Sequence, residues 1–172
     1  MKQFTAKIPH TKFNETELRV DLPNGSRITL LGSESPDGLR GIYLDGCVID
    51  EYANVNSKLF PEIIRPALSD RKGYCVFIGT PAGMNNNFYE LYQHANGAED
   101  WFNYKAKASE TKIVDEDELV KAKEVMGDKK YQQEFECDWI ANIEGAVYGD
   151  VIGKLDDDKQ LSRVPYDPSL PV

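Results

Sequence analysis

The sequence predicts an α/β protein organised around a parallel sheet, and three observations lead there. Two short apolar runs, Cys47-Val48-Ile49 and Tyr74-Cys75-Val76-Phe77-Ile78, each end abruptly in acidic or turn-forming residues. Apolarity without alternation is the pattern of a strand covered on both faces, as parallel sheets require. The runs lie about 28 residues apart with a helix-patterned stretch between them, which makes a βαβ unit. Finally, 172 residues that are 41% hydrophobic and 28% charged suffice to bury a core.

Each element follows in chain order. Residues 17–31 alternate in polarity on both sides of Pro23-Asn24-Gly25-Ser26, and an Asn-Gly turn between alternating segments predicts a β-hairpin. A loop of turn formers, residues 32–38, leads to Leu39-Arg40-Gly41. The first apolar strand ends at Asp50-Glu51. Residues 58–69 carry helical spacing with Pro61 near the first turn, and Pro66 is expected to kink or divide the segment. The second apolar strand ends in Gly79-Thr80-Pro81-Ala82-Gly83. Asn87 to Ala95 reads as a helix, and Trp101 to Ala106 alternates like another strand. Four consecutive acids, Asp115 to Glu118, suit the positive end of a helix over 115–126; Gly127 breaks it, and a second helix follows over about 128–136. Beyond Asp138, Gly145, Gly149 and Gly153 punctuate short strands, and Pro165-Tyr166-Asp167-Pro168 has the texture of a linker.

Charge and composition exclude several classes. A net charge of -9 repels phosphate backbones, so any nucleic-acid contact must come from local patches or from assembly with other chains. No run approaches the ~18 apolar residues of a membrane span, and Met1 to Thr5 precede no secretory apolar core, so a cytoplasmic compartment is expected. Cys47, Cys75 and Cys137 fit neither a disulfide framework nor a zinc site and read as buried reduced thiols. His10 and His94 have no ligand spacing and read as surface or packing residues. Asp156-Asp157-Asp158 reads as a solvated turn, and Phe88, Tyr89, Leu91, Tyr92, Trp101 and Tyr104 as core packing in preference to a base-stacking platform.

Three positions carry chemistry. A buried strand ending in paired carboxylates suits a nucleotide hydrolase: Asp50 anchors hydrated Mg²⁺, and Glu51 orients or deprotonates the attacking water. The same pair also reads as a helix cap beside a solvated acid. Thr80, at the end of the next strand, suits a small polar group that senses the γ-phosphate, or a plain turn residue bonding its own backbone. Arg40, in a glycine-bracketed loop eleven residues before Glu51, suits a mobile guanidinium that stabilises developing charge, or a solvated surface arginine.

In their order and spacing, Asn24-Gly25-Ser26, Leu39-Arg40-Gly41, Val48-Ile49-Asp50-Glu51-Tyr52-Ala53 and Ile78-Gly79-Thr80-Pro81-Ala82-Gly83 resemble the large terminase subunit of tailed bacteriophages, the motor that packages viral DNA. Tyr131 to Asp138 is similar to the segment closing that family's ATPase domain, and Gly145-Ala146-Val147-Tyr148-Gly149 to the approach to its nuclease domain. The resemblance implies an incomplete parallel sheet of the P-loop NTPase (ASCE) type over residues 1–138. Residues 139–172 would form a short C-terminal linker and β segment connecting to an absent RNase H-like nuclease domain. It implies ATP and Mg²⁺ as cofactors, with Asp50 as the magnesium ligand, Glu51 as the catalytic carboxylate, Thr80 in the coupling motif and Arg40 as a trans-acting finger. It also implies sister subunits in a ring, the portal protein, the small terminase subunit and double-stranded DNA as partners, in the host cytoplasm.

No Gly-x-x-x-x-Gly-Lys-Ser/Thr string occurs, and no nuclease aspartate cluster is identifiable. The chain therefore reads as the second half of a motor ATPase domain, expected to hydrolyse ATP negligibly by itself and to be prone to aggregate. Two other readings remain open at this point: a different P-loop enzyme such as a helicase, suggested by Asp50-Glu51-Tyr52-Ala53, and a non-enzymatic remnant that only binds partners.

Overall fold

The computed structural model describes residues 1–140, which divide into one unit ending at Ile78 and a second beginning at Gly79. The segment expected to approach a nuclease domain, the Asp156-Asp157-Asp158 turn and the proline-rich linker lie outside the described residues. None of the helices among those residues is long and apolar enough to cross a membrane.

The first unit opens with a helical turn, α1 (Lys2–Thr5), and an antiparallel sheet of β1 (Lys12–Asn14), β2 (Arg19–Asp21) and β3 (Arg27–Thr29). The β2–β3 hairpin forms where the sequence places it. The Leu22 carbonyl accepts from Gly25 N–H at 3.0 Å and Leu22 N–H donates to Ser26 at 2.8 Å, which closes a three-residue Pro23-Asn24-Gly25 loop. Proline fixes φ early in the turn, and Gly25 takes the φ of 85° that brings the chain back in register. The third strand, β1, is too short for its alternation to be read from sequence. Val20, at 2% exposure, is the buried residue of this sheet.

The parallel pair is β4 (Gly46–Ile49) with β5 (Tyr74–Phe77), in the register Gly46 to Tyr74, Cys47 to Cys75, Val48 to Val76 and Ile49 to Phe77. The crossover contains a π-helical turn, Leu59–Ile64, followed by α2 (Arg65–Ser69). Pro66 divides the segment as expected: it has no N–H for the carbonyl four residues back, and just before it Arg65 N–H reaches five residues back to Phe60. Leu59, Ile63, Ile64 and Leu68 form the buried stripe of the crossover, and Phe60 packs edge-on against Phe77 at 4.7 Å.

One expectation for these strands fails. They were expected to be covered on both faces, but only the face of Ile49 and Phe77 is packed; Val48, Val76 and Ile78, on the opposite face, are 59%, 43% and 48% exposed. An apolar run of four or five residues reports that both sides are apolar, and covering each side needs a separate packing element.

In the second unit α3 (Asn87–Ala95) has the predicted bounds, because Asn86 is a strong N-cap: its Oδ1 accepts from Phe88 and Tyr89 N–H at 2.9 and 3.1 Å. Phe88, Tyr89 and Tyr92 pack around Trp139 with ring centroids 5.2–5.5 Å apart, and His94 lies edge-on to Trp101, so these rings are packing residues as expected. Tyr104, grouped with them from sequence, is instead 70% exposed. The short helix α4 (Ala108–Thr111) precedes α5 (Glu116–Glu136). Asp115 caps α5 by accepting from Asp117 N–H, and Gly127, at φ 78° and ψ 165°, breaks it into the two expected helices.

The strand expected over Trp101 to Ala106 does not form. Its burial does alternate, with Trp101, Asn103 and Lys105 half-buried and Phe102 and Tyr104 exposed. Alternation makes a strand only where another segment supplies a ladder, and among the described residues none pairs with it.

Candidate functional site

The site is built at the carboxyl end of β4. Up to Ile49 the ladder is regular, and Ile78 N–H donates to the Ile49 carbonyl at 2.9 Å. A regular parallel ladder would next take Glu51 N–H to the Ile78 carbonyl. Here that carbonyl accepts from Tyr52 N–H instead, at 3.0 Å. The one-residue offset pushes Asp50-Glu51 out of the sheet as a bulge. The freed Glu51 N–H is taken by its neighbour, donating to Asp50 Oδ1 at 3.0 Å.

Glu51 consequently stands in the left-handed region, at φ 50° and ψ 42°. That region costs a residue with a Cβ about 1–2 kcal/mol, so the surroundings must hold it there. Tyr52 provides the hold: it is 3% exposed, and its ring packs edge-on against Phe77 on β5 at 4.7 Å. An aromatic pair of this kind adds about 0.5–1.5 kcal/mol beyond its buried area. Both carboxylates are exposed, so the clamp presents them to solvent on a rigid support.

Arg40 lies elsewhere in the first unit, just after the 3₁₀ turn Pro36–Leu39. Its Nε donates to Asp37 Oδ1 at 2.8 Å, and its guanidinium is 3.7 Å from Glu62. It borders a groove of about 270 Å³ lined also by Gly41, Tyr43, Glu62, Pro66 and Asp70, which includes neither Asp50 nor Glu51. Thr80 is half-buried and belongs to the second unit, two residues past Ile78 in the chain. The loop that follows it is tied down by Asn86, whose Nδ2 donates to the Ala82 and Gly83 carbonyls at 3.0 and 2.7 Å. The structure thus brings Asp50 and Glu51 together beside the end of β5, and holds Arg40 in ion pairs of its own.

Among the described residues no group of three or more His, Cys, Asp or Glu side chains could hold a metal ion. The tip can offer a cation the Asp50 carboxylate. That donor set suits Mg²⁺, which keeps most of its water and binds through one or two carboxylates plus the phosphates of a nucleotide. It would not suit a metal that needs a closed protein cage.

The family model for the large terminase subunit, T4likevirus-type, N-terminal, matches residues 1–150. The chain belongs to this family. Two large terminase subunits, from Thermus phage G20c and Thermus virus P23-45, are each 42% identical to it over 60 residues, 35% of this chain. That match spans 12% of the length of either relative. The large terminase ATPase domain of Thermus phage P74-26 superposes with a TM-score of 0.63 at 22% identity, over 80% of this chain and 67% of that one. The large terminase of a thermophilic bacteriophage in complex with ADP gives 0.59 at 17% identity, over 80% of this chain and 35% of that one. These likenesses establish the fold, mixed α/β with a parallel sheet. Family membership also decides against the helicase reading.

Tyr52 and Phe77 are the site residues that sequence reasoning missed. Tyr52 stood inside the quoted motif, yet nothing in its spacing says that its N–H displaces that of Glu51. An aromatic directly after two exposed acids at a strand end is the signal that could have marked it.

Proposed function

We propose that this chain is part of a viral DNA-packaging motor, a large terminase subunit that couples ATP hydrolysis to translocation of double-stranded DNA into a procapsid. The observation that carries the proposal is the bulged tip of β4, where a strained Glu51 is clamped beside Asp50 at the carboxyl end of a parallel pair. Ligands of open α/β sheets bind at that end. Of the two acids Glu51 is the one at positive φ, and it is held there by the Tyr52 N–H bond to Ile78 and by the packing of Tyr52 on Phe77.

In this reading the sheet is of the P-loop NTPase (ASCE) type. Residues 1–138 belong to the ATPase domain, and residues 139–172 form the connection toward a nuclease domain. Asp50 holds the water shell of Mg²⁺, which when bound screens the phosphate charge. Glu51 faces the attacking water and accepts its proton. Thr80 lies in the coupling segment, where loss of the γ-phosphate is sensed and passed on to moving parts. Arg40 leaves its pairs with Asp37 and Glu62 and reaches a nucleotide held by a neighbouring subunit. Exposed pairs of that kind hold an arginine by only about 0–1 kcal/mol, so a triphosphate can displace them. Sister subunits, the portal, the small terminase subunit and DNA are the partners, and the host cytoplasm is the place of action.

In a full-length large terminase containing this sequence, Glu51→Gln is expected to abolish ATP turnover while leaving nucleotide binding intact. Turnover that survives the substitution overturns the assignment of Glu51. The 172-residue chain alone, which carries no phosphate-loop string, is expected to show negligible turnover.

A further inference from the structure

Two cysteines that look unrelated in sequence become neighbours in the sheet. Cys47 on β4 stands directly opposite Cys75 on β5, on the face that also carries Ile49 and Phe77. Adjacent strands lie about 4.8 Å apart, inside the ~4.4–6.8 Å between Cα atoms that a disulfide spans. Both thiols are free and only half-buried, so a small solute can reach them.

The two sulfurs also influence one another. Hydrogen bonding from Cys75 holds the Cys47 thiol below the ordinary range, against the opposing effect of burial. Cys75 is pushed up, first by its bond to Cys47 and then by burial. Reactivity follows the thiolate, so Cys47 is the attacking group and Cys75 the resolving one. Cys137 differs: it lies outside the β4–β5 pair, and burial raises its thiol.

We infer that Cys47 and Cys75 form a vicinal dithiol which hydrogen peroxide converts into a disulfide linking β4 to β5. The Cys47 thiolate attacks the peroxide, the O–O bond breaks, and the products are a sulfenic acid and hydroxide. Cys75 then attacks the sulfenic sulfur; the S–S bond forms as the S–O bond breaks, and the departing hydroxide leaves as water with the Cys75 proton. Two electrons pass from the sulfur pair to hydrogen peroxide, and the hydroxide of the first step takes up the proton that Cys47 released on ionising, giving one disulfide and two waters. The link lies three residues before Asp50 and locks the two strands that carry the acidic tip. The inference holds whether or not the chain acts on nucleotides.

The test treats the purified chain with one equivalent of hydrogen peroxide, alkylates it in denaturant without reductant, and maps the peptides by mass spectrometry. The expected result is a linked Cys47–Cys75 peptide in monomeric chain, reversed by dithiothreitol, with Cys137 alkylated. Cys47→Ser and Cys75→Ser should each lose the linked peptide, Cys75→Ser leaving Cys47 trapped by dimedone as sulfenic acid and Cys47→Ser leaving Cys75 untrapped, and Cys137→Ser should retain the link. Links that join separate chains, oxidation confined to Cys137, or a Cys47–Cys75 link that forms as fast in urea-unfolded chain would each overturn the inference.

Discussion

Replacing Glu51 by alanine and, separately, by glycine isolates the backbone strain at the tip of β4. Both variants lose the carboxylate, so they differ only by one Cβ at φ 50° and ψ 42°. Alanine there carries a penalty of about 1–2 kcal/mol from contact between Cβ and the carbonyl. Glycine carries no such penalty but gives up about 0.4–1 kcal/mol more unfolded-chain entropy. The balance leaves Glu51→Gly more stable than Glu51→Ala by about 0.5–1 kcal/mol. Paired urea titrations followed by far-ultraviolet circular dichroism should show the glycine midpoint higher by about 0.3–0.5 M, with equal slopes. If the alanine variant proves equally or more stable, Glu51 occupies an ordinary conformation and the clamp by Tyr52 does not hold it.

Three further outcomes follow from the packing and the charges. Leu68→Ala removes a side chain that is 2% exposed beneath the parallel pair and should cost about 2–5 kcal/mol, read as a lower thermal midpoint. Asn86→Ala removes the cap of α3 together with both Nδ2 bonds to the preceding loop; a loss of about 1–2 kcal/mol is expected, seen by the fluorescence of Trp101 and Trp139. Asp21, held below its ordinary value of 3.8 first by its bond to Arg27, stabilises the hairpin sheet above that value, and the contribution disappears as pH falls through the lowered one. A carboxyl titration by nuclear magnetic resonance should place the Asp21 midpoint below 3.8, and Arg27→Ala should move it upward.

Much of the architecture was legible because its signals are local. Pro23-Asn24-Gly25 closes its own hairpin, Asn86 caps its own helix, and Gly127 breaks its own helix, each by bonds or dihedrals within a few residues. The parallel pair was legible from the length of its crossover. Residues 101–106 misled because alternation describes one strand's side chains and is silent about a partner. For the site, residue types identified Asp50 and Glu51, whereas the engagement of Arg40 with Asp37 and Glu62 joins segments that no spacing connects.

By itself the sequence determined the element types, the acids at the strand tip and the family to which the chain belongs. Tertiary structure alone decided that β4 and β5 pair with one residue of offset beyond Ile49, that Glu51 is left-handed, that one sheet face stays open, and that Cys47 meets Cys75. The reason is physical: turns and caps are satisfied by neighbours along the chain. Register and burial depend on which atoms of a strand 28 residues away take up each hydrogen bond and each apolar face.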